Sequence, residues 1–148
     1  MVSNILEDIG FKDLISSQVK STLEFLLQKD QEFSVTVNIQ ATTFDPELPK
    51  AIKDQLQNFS LFTLTNYTYT TIKVTDEYMS FEAGFGAENF GSVVKVPLHS
   101  VFQIVIDESI LFLNPVATVD KFNKADTDED KRDSMSVFKS NPNNKKFK

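Results

Sequence analysis

The spacing of apolar positions changes along the chain, and each change marks where one kind of element gives way to another. Leu14, Ile15, Val19, Leu23, Leu26 and Leu27 recur at helical spacing, with Lys20, Glu24 and Gln28 elsewhere on the wheel. That spacing predicts an amphipathic helix over residues 12 to 29, its stripe broad enough to cover a core and touch a partner helix. Phe33, Val35, Val37 and Ile39 then alternate with Ser34, Thr36, Asn38 and Gln40. Strict period two of this kind is a half-buried strand. Asp45-Pro46-Glu47-Leu48-Pro49 stops the sheet, and Pro49 can open a short helix that turns Ala51, Ile52 and Leu56 inward.

Further strands are predicted near Leu61 to Thr65, Tyr69 to Val74, Met79 to Phe85 and Val93 to Leu98. From Tyr78 to Phe85, Met79, Phe81, Ala83 and Phe85 share one face, while Tyr78, Ser80, Glu82 and Gly84 share the other. Gly84 and Gly86 interrupt these bulky positions. Glycine inside a strand marks a bulge or a place where another backbone comes close. The segment therefore reads either as a bulged hairpin or as an edge on which a peptide docks. Pro97 sits where a strand gives way to one helical turn, a short apolar run follows, and Ile110 to Leu113 makes a last strand closed by Asn114-Pro115. One helix followed by some six antiparallel strands predicts an α+β domain, mostly β: a small half-barrel or two-sheet sandwich. After about Asp120 the composition becomes charged and then Asn/Lys-rich, too polar to bury a core. The expected division is a folded domain over 1–119 and a disordered tail over 120–148.

Composition narrows this picture. With 148 residues, 41% of them hydrophobic, there is material for one cored domain and a tail. Fourteen phenylalanines and no tryptophan suggest a core of rings that need no hydrogen-bond partner. The absence of cysteine removes disulfides and thiolate metal sites. No apolar run approaches the ~20 residues of a membrane span, and Glu7 and Asp8 stand where a secretory leader would be basic and then apolar. A soluble, cytoplasmic protein with no membrane partner is expected. Residues 1 to 120 hold seven Lys/Arg against sixteen Asp/Glu, giving −9, whereas residues 121 to 148 hold eight against five, giving +3. An acidic body repels phosphate backbones and argues against nucleic acid as a partner.

Candidate chemistry is sparse. His99 is the only histidine and has no acidic partner near it in sequence. Asp107-Glu108 beside Ser109 reads as a chain turn. Asp126, Asp128 and Asp130 lack the glycine and glutamate of a calcium loop. Gly84, Gly86 and Gly91 do not form a phosphate cradle ahead of a helix. No catalytic constellation emerges, and the expectation is a binding protein without enzymatic activity, metal or cofactor.

The order Phe81, Ala83, Phe85, a turn, then Val94, Val96, Pro97, Leu98 and Val101 resembles the SspB family (stringent starvation protein B), closest to its alphaproteobacterial type. The likeness runs back through Ile72-Lys73-Val74 to the strand at Phe33 and the helix before it, covering roughly residues 12 to 116. It departs between Phe85 and Pro97, where the chain is about two residues longer and lacks the family's turn proline. The resemblance implies an adaptor that binds ssrA-tagged proteins and delivers them to the ClpXP protease through the ClpX unfoldase. It implies peptide contacts at Phe81, Ala83, Phe85, Val96 and Leu98 with Val101 flanking. It also implies a homodimer, for which the helix stripe Ile15, Val19, Leu23 and Leu26 is the expected surface. A ClpX-docking motif is implied in the tail, either around Val119, Phe122 and Lys124 or at the terminal Phe147 and Lys148. The alternatives are an RNA-binding small barrel, a binder of an unrelated peptide, and a small-ligand site in the β cavity.

Overall fold

Phe33 to Asn38 keeps its alternation because one face meets a core: Phe33, Val35 and Val37 are buried, while Ser34 and Thr36 are half exposed. In this computed structural model, which describes residues 4–124 and the backbone of Lys139–Ser140 and Asn143–Lys146, that strand is β1. Before it runs helix α1 (Ile9–Gln28), three residues earlier than its apolar stripe indicates. Asp8 sets the start, its carboxylate accepting a hydrogen bond from the Phe11 amide at 3.0 Å. After β1 come β2 (Thr43–Asp45), α2 (Lys50–Lys53), β3 (Phe59–Leu64), α3 (Asn66–Thr70) and β4 (Lys73–Val74). The chain continues through β5 (Tyr78–Phe85), β6 (Phe90–Pro97), β7 (Val101–Ile106) and β8 (Ser109–Leu113). A separate short ladder joins β9 (Lys139–Ser140) and β10 (Asn143–Lys146).

The eight strands of the body form two antiparallel four-stranded sheets, ordered β3-β1-β7-β8 and β2-β6-β5-β4. This is an α+β fold dominated by strand. The sheets meet through aromatic rings: Phe62 of β3 packs on Phe81 and Phe85 of β5 at centroid distances of 5.4 and 6.0 Å. Phe44 of β2 meets Phe85 edge-on at 5.8 Å. Ile15, Val19, Leu23 and Leu26 of α1 complete the same core. The stripe assigned from sequence to a dimer surface is thus inside the protomer, buried by its own sheets.

Two segments depart from the expected elements. Tyr69 to Val74 is largely not a strand. Asn66–Thr70 is helical, and the hydroxyls of Thr70 and Thr71 donate back to the carbonyls of Tyr67 and Thr68 at 2.6 and 2.7 Å. Local bonding of this kind overrides the strand preference of a Thr/Tyr-rich segment. Conversely, the apolar run after Leu98 contains a full strand, β7. A bulge opposite Thr36 and Val37 breaks its alternation, leaving only Val101 and Ile104 fully buried.

The folded body also extends past residue 119. Turns at Pro115–Thr118 and Asp120–Phe122 lie on the core, with Val116, Ala117 and Asn123 fully buried. Asn123 donates to the carbonyls of Val116 and Val119 at 2.9 and 2.7 Å and accepts from the Ser100 hydroxyl. His99 Nε2 lies 2.7 Å from the Phe122 carbonyl. Val119 and Phe122, assigned to a tethering motif, therefore belong to a docked segment, with exposed Lys124 just beyond it. Phe147 and Lys148 lie outside the described residues.

Candidate functional site

Strand β5 is flanked on both sides over its first half only. Its pairing with β6 runs the whole length, from Tyr78↔Pro97 to Phe85↔Phe90. On the other side β4 meets only Ser80 and Met79. The next outward amide, that of Glu82, donates to the Thr71 hydroxyl at 2.8 Å. Alternate residues of a strand point their N–H and C=O to the same side. The polar backbone of Gly84 therefore faces the same way, beyond the end of β4, with no strand beside it among the described residues.

A hollow of about 430 Å³ opens here. Its floor is a pair of glycines facing each other across strands, Gly84 on β5 and Gly91 on β6. Tyr67 and Thr68 of α3 stand along the β5 side, Asp45 and Pro46 along the β6 side, and Asn89 of the hairpin turn at the end. Gly86 and Asn89 hold that turn with φ of 73° and 54°, values that suit glycine and asparagine. The two floor glycines differ in kind. A Cβ on Gly84 would fall 1.7 Å from Asn89 Oδ1, so Gly84 makes room for the turn. A Cβ on Gly91 would meet nothing within 4 Å, and its backbone is not left-handed. Neither packing nor conformation requires glycine there; its effect is to leave the hollow open.

Above the floor, Tyr67 donates its hydroxyl to Glu82 Oε1 at 2.8 Å. That bond to the carboxylate raises the Tyr67 pKa above its usual 10.0. Tyr69, in contrast, turns its hydroxyl into the protein, where it has no partner among the described residues, and burial raises its pKa.

Of the six residues assigned to peptide contact, Phe81, Val96, Leu98 and Val101 are fully buried core and offer no surface to a ligand in this structure. Ala83 is half buried and lines the glycine-floored hollow. Phe85 borders a second, more apolar depression of about 340 Å³ beside the same hairpin turn, with Ile52 of α2 and Phe90. The face that alternation identified as apolar is the inner one; the ligand-accessible hollow is on the opposite face. Asp45, Tyr67, Glu82 and Asn89 were not assigned to a site from sequence, and Gly91 was weighed only as part of a phosphate cradle and set aside. Only the pairing of Gly84 with Gly91 could have suggested them, and it depends on the four-residue turn between the strands.

The protein sequence matches no family model and no curated protein.

Elsewhere, α1 and the β4–β5 turn enclose a charged depression of about 540 Å³. Lys20 bridges to Asp76 there at 3.0 Å, which raises the lysine pKa. His99 also borders it, but burial lowers its pKa and its Nε2 faces the Phe122 carbonyl. Among the described residues no three His, Asp or Glu side chains gather as a metal site, and no helix is long and apolar enough to cross a membrane.

Proposed function

We propose that this protein is a non-enzymatic adaptor of the SspB type, holding an extended peptide degron in the glycine-floored hollow and delivering the tagged protein to ClpX. One observation carries the peptide-binding part: beyond β4, strand β5 has an open backbone edge at Gly84, beside a floor that Gly91 keeps clear without any packing need. A peptide laid against such an edge gains main-chain hydrogen bonds, and the flanking pockets select its side chains. Resemblance to the SspB family supplies the identity of the degron and of the receiving unfoldase. On this reading the ligand touches Ala83, Gly84 and Gly91, while Phe81, Val96, Leu98 and Val101 support the strands from behind. The ClpX contact on this reading lies beyond the docked segment that ends at Asn123, at the terminal Phe147 and Lys148. A homodimer in a cytoplasmic setting completes the proposal. Its surface would be the exposed side of α1, on which Leu14 and Phe25 stand, rather than the buried stripe.

Fluorescence anisotropy of a labelled ssrA peptide tests this, beside a peptide scrambled in its N-terminal half. Selective binding at micromolar or tighter (about −8 kcal/mol), lost in Gly91→Val, is the expected result. Equal affinity for both peptides, or a Gly91→Val variant that binds like the parent, refutes the assignment.

A further inference from the structure

We infer that a second copy of this chain docks on one uncharged surface made of β8 and the neighbouring flank of α1, with the two β8 strands antiparallel across a two-fold axis. This rests on the homodimer proposed above and states how its surface is built.

β8 is an edge strand: it pairs with β7 and, among the described residues, with nothing on its other side. Edges of this kind are ordinarily guarded by charge, proline or a covering element, because their outward backbone groups can pair with another strand. Ser109–Leu113 holds no charged residue and no proline, and its side chains Ile110, Leu111 and Leu113 are 57%, 50% and 56% exposed. Of the other three sheet edges, β3 exposes one large apolar side chain, Leu61, and β2 and β4 expose none. A bulge leaves Leu111 without a partner on β7 and sets Ile110 and Leu113 opposite Val105 and Gln103. Its kink limits new pairing to a few residues, so a stable contact needs a second element beside the strand.

That element is α1. Its four charged residues, Lys12, Asp13, Lys20 and Glu24, lie on the side of the β4–β5 turn, where Lys20 meets Glu24 and Asp76. The other exposed flank, Leu14, Ser17, Gln18, Ser21 and Phe25, is uncharged. Most of it borders a depression of about 350 Å³ whose far wall is Phe112 of β8. Helix flank and edge strand are therefore neighbours, and each runs about 17 Å.

The charge of the body selects the occupant. Residues 1 to 120 carry −9, so two copies repel except where neither presents charge, and a basic partner would be drawn to the acidic surface elsewhere. A lone extended peptide could pair with β8 but would leave the helix flank bare. A second copy meets both elements at once: one two-fold sets β8 against β8 and α1 against α1. A standard interface takes ~800 Å² per partner, more than a five-residue strand offers, and the helix flank supplies the added area. The glycine-floored hollow lies on the other sheet, so both peptide sites stay open in this dimer.

Sedimentation velocity of the full chain at about 100 µM tests the inference. The parent should run as a dimer, and Leu111→Glu/Leu113→Glu and Leu14→Glu/Phe25→Glu should each run as monomers that still unfold cooperatively in urea. Leu61→Glu, at an equally exposed position of β3, should remain dimeric. Hydrogen exchange reads the same contact without substitution: β8 amides of the parent should exchange roughly tenfold more slowly at that concentration than after dilution to monomer. A dimer that survives either double substitution, or β8 amides that exchange alike at both concentrations, overturns the inference. If the dimer survives the β8 pair and not the α1 pair, the homodimer reading stands without it. A parent that is monomeric throughout overturns both and leaves peptide binding to the anisotropy measurement.

Discussion

The two halves of β5 belong to one strand and have opposite surroundings. From Tyr78 to Phe81 the strand has a neighbour on each side, and Met79 and Phe81 sink fully into the core. From Glu82 to Phe85 it keeps, among the described residues, only β6 as a strand neighbour, and its outward positions are a carboxylate and a glycine. Both halves join the sheets, Phe81 and Phe85 each packing on Phe62; only the second also leaves backbone and space available on its outer side. A rigid strand whose last residues are open on one side can bind a chain without refolding, because the paired half fixes their geometry. In the second half the inward ring of Phe85 serves stability while the outward backbone at Gly84 is left for recognition, so the two are separable between the faces of a single element.

Substitutions should divide along the same line. Phe81→Ala has the largest expected effect, a loss of about 3–5 kcal/mol in the urea unfolding free energy. A loss under 1 kcal/mol would mean that the ring does not join the sheets. Asn123→Ala comes next, since it strips a buried segment of its hydrogen bonds; a cost of about 1–3 kcal/mol is expected, with faster proteolysis after Val116. His99 gives a smaller, pH-dependent term. Burial lowers its pKa below 6.5, so the unfolded chain takes up the proton first as pH falls. The stabilisation is complete above pH 6.5 and is lost as pH drops through the folded value. Urea midpoints measured from pH 8 downward should show that slope in the parent, reduced in His99→Gln; parallel curves would remove histidine from the account. Gly91→Val should be nearly silent for stability, within about 0.5 kcal/mol, and severe for peptide binding.

Period two made β1, β5 and β6 legible because each keeps one face on a core for its whole length. It failed at β7, where a bulge shifts the pairing at Val37 and puts the half-buried ring of Phe102 beside Phe59, at 5.1 Å between centroids. It failed again at Tyr69, where threonine hydroxyls bond their own backbone and favour a helical turn. The hollow was harder still to read. Its floor is a pair of missing side chains on separate strands, and its lining joins positions 45, 82 and 93, which no local window holds together. The buried helix stripe was legible as apolar but not as to what covers it, since a core and a dimer surface ask for the same residues.

Amide chemical-shift mapping with an ssrA peptide addresses the central claim most directly. The expected shifts cluster at Glu82, Ala83 and Gly84, at Gly91 to Val93, and at Tyr67 and Thr68, with the Phe81 and Val96 amides moving little. Shifts centred instead on the outer face of the other sheet, at Leu61, Ile110 and Leu113, would contradict it.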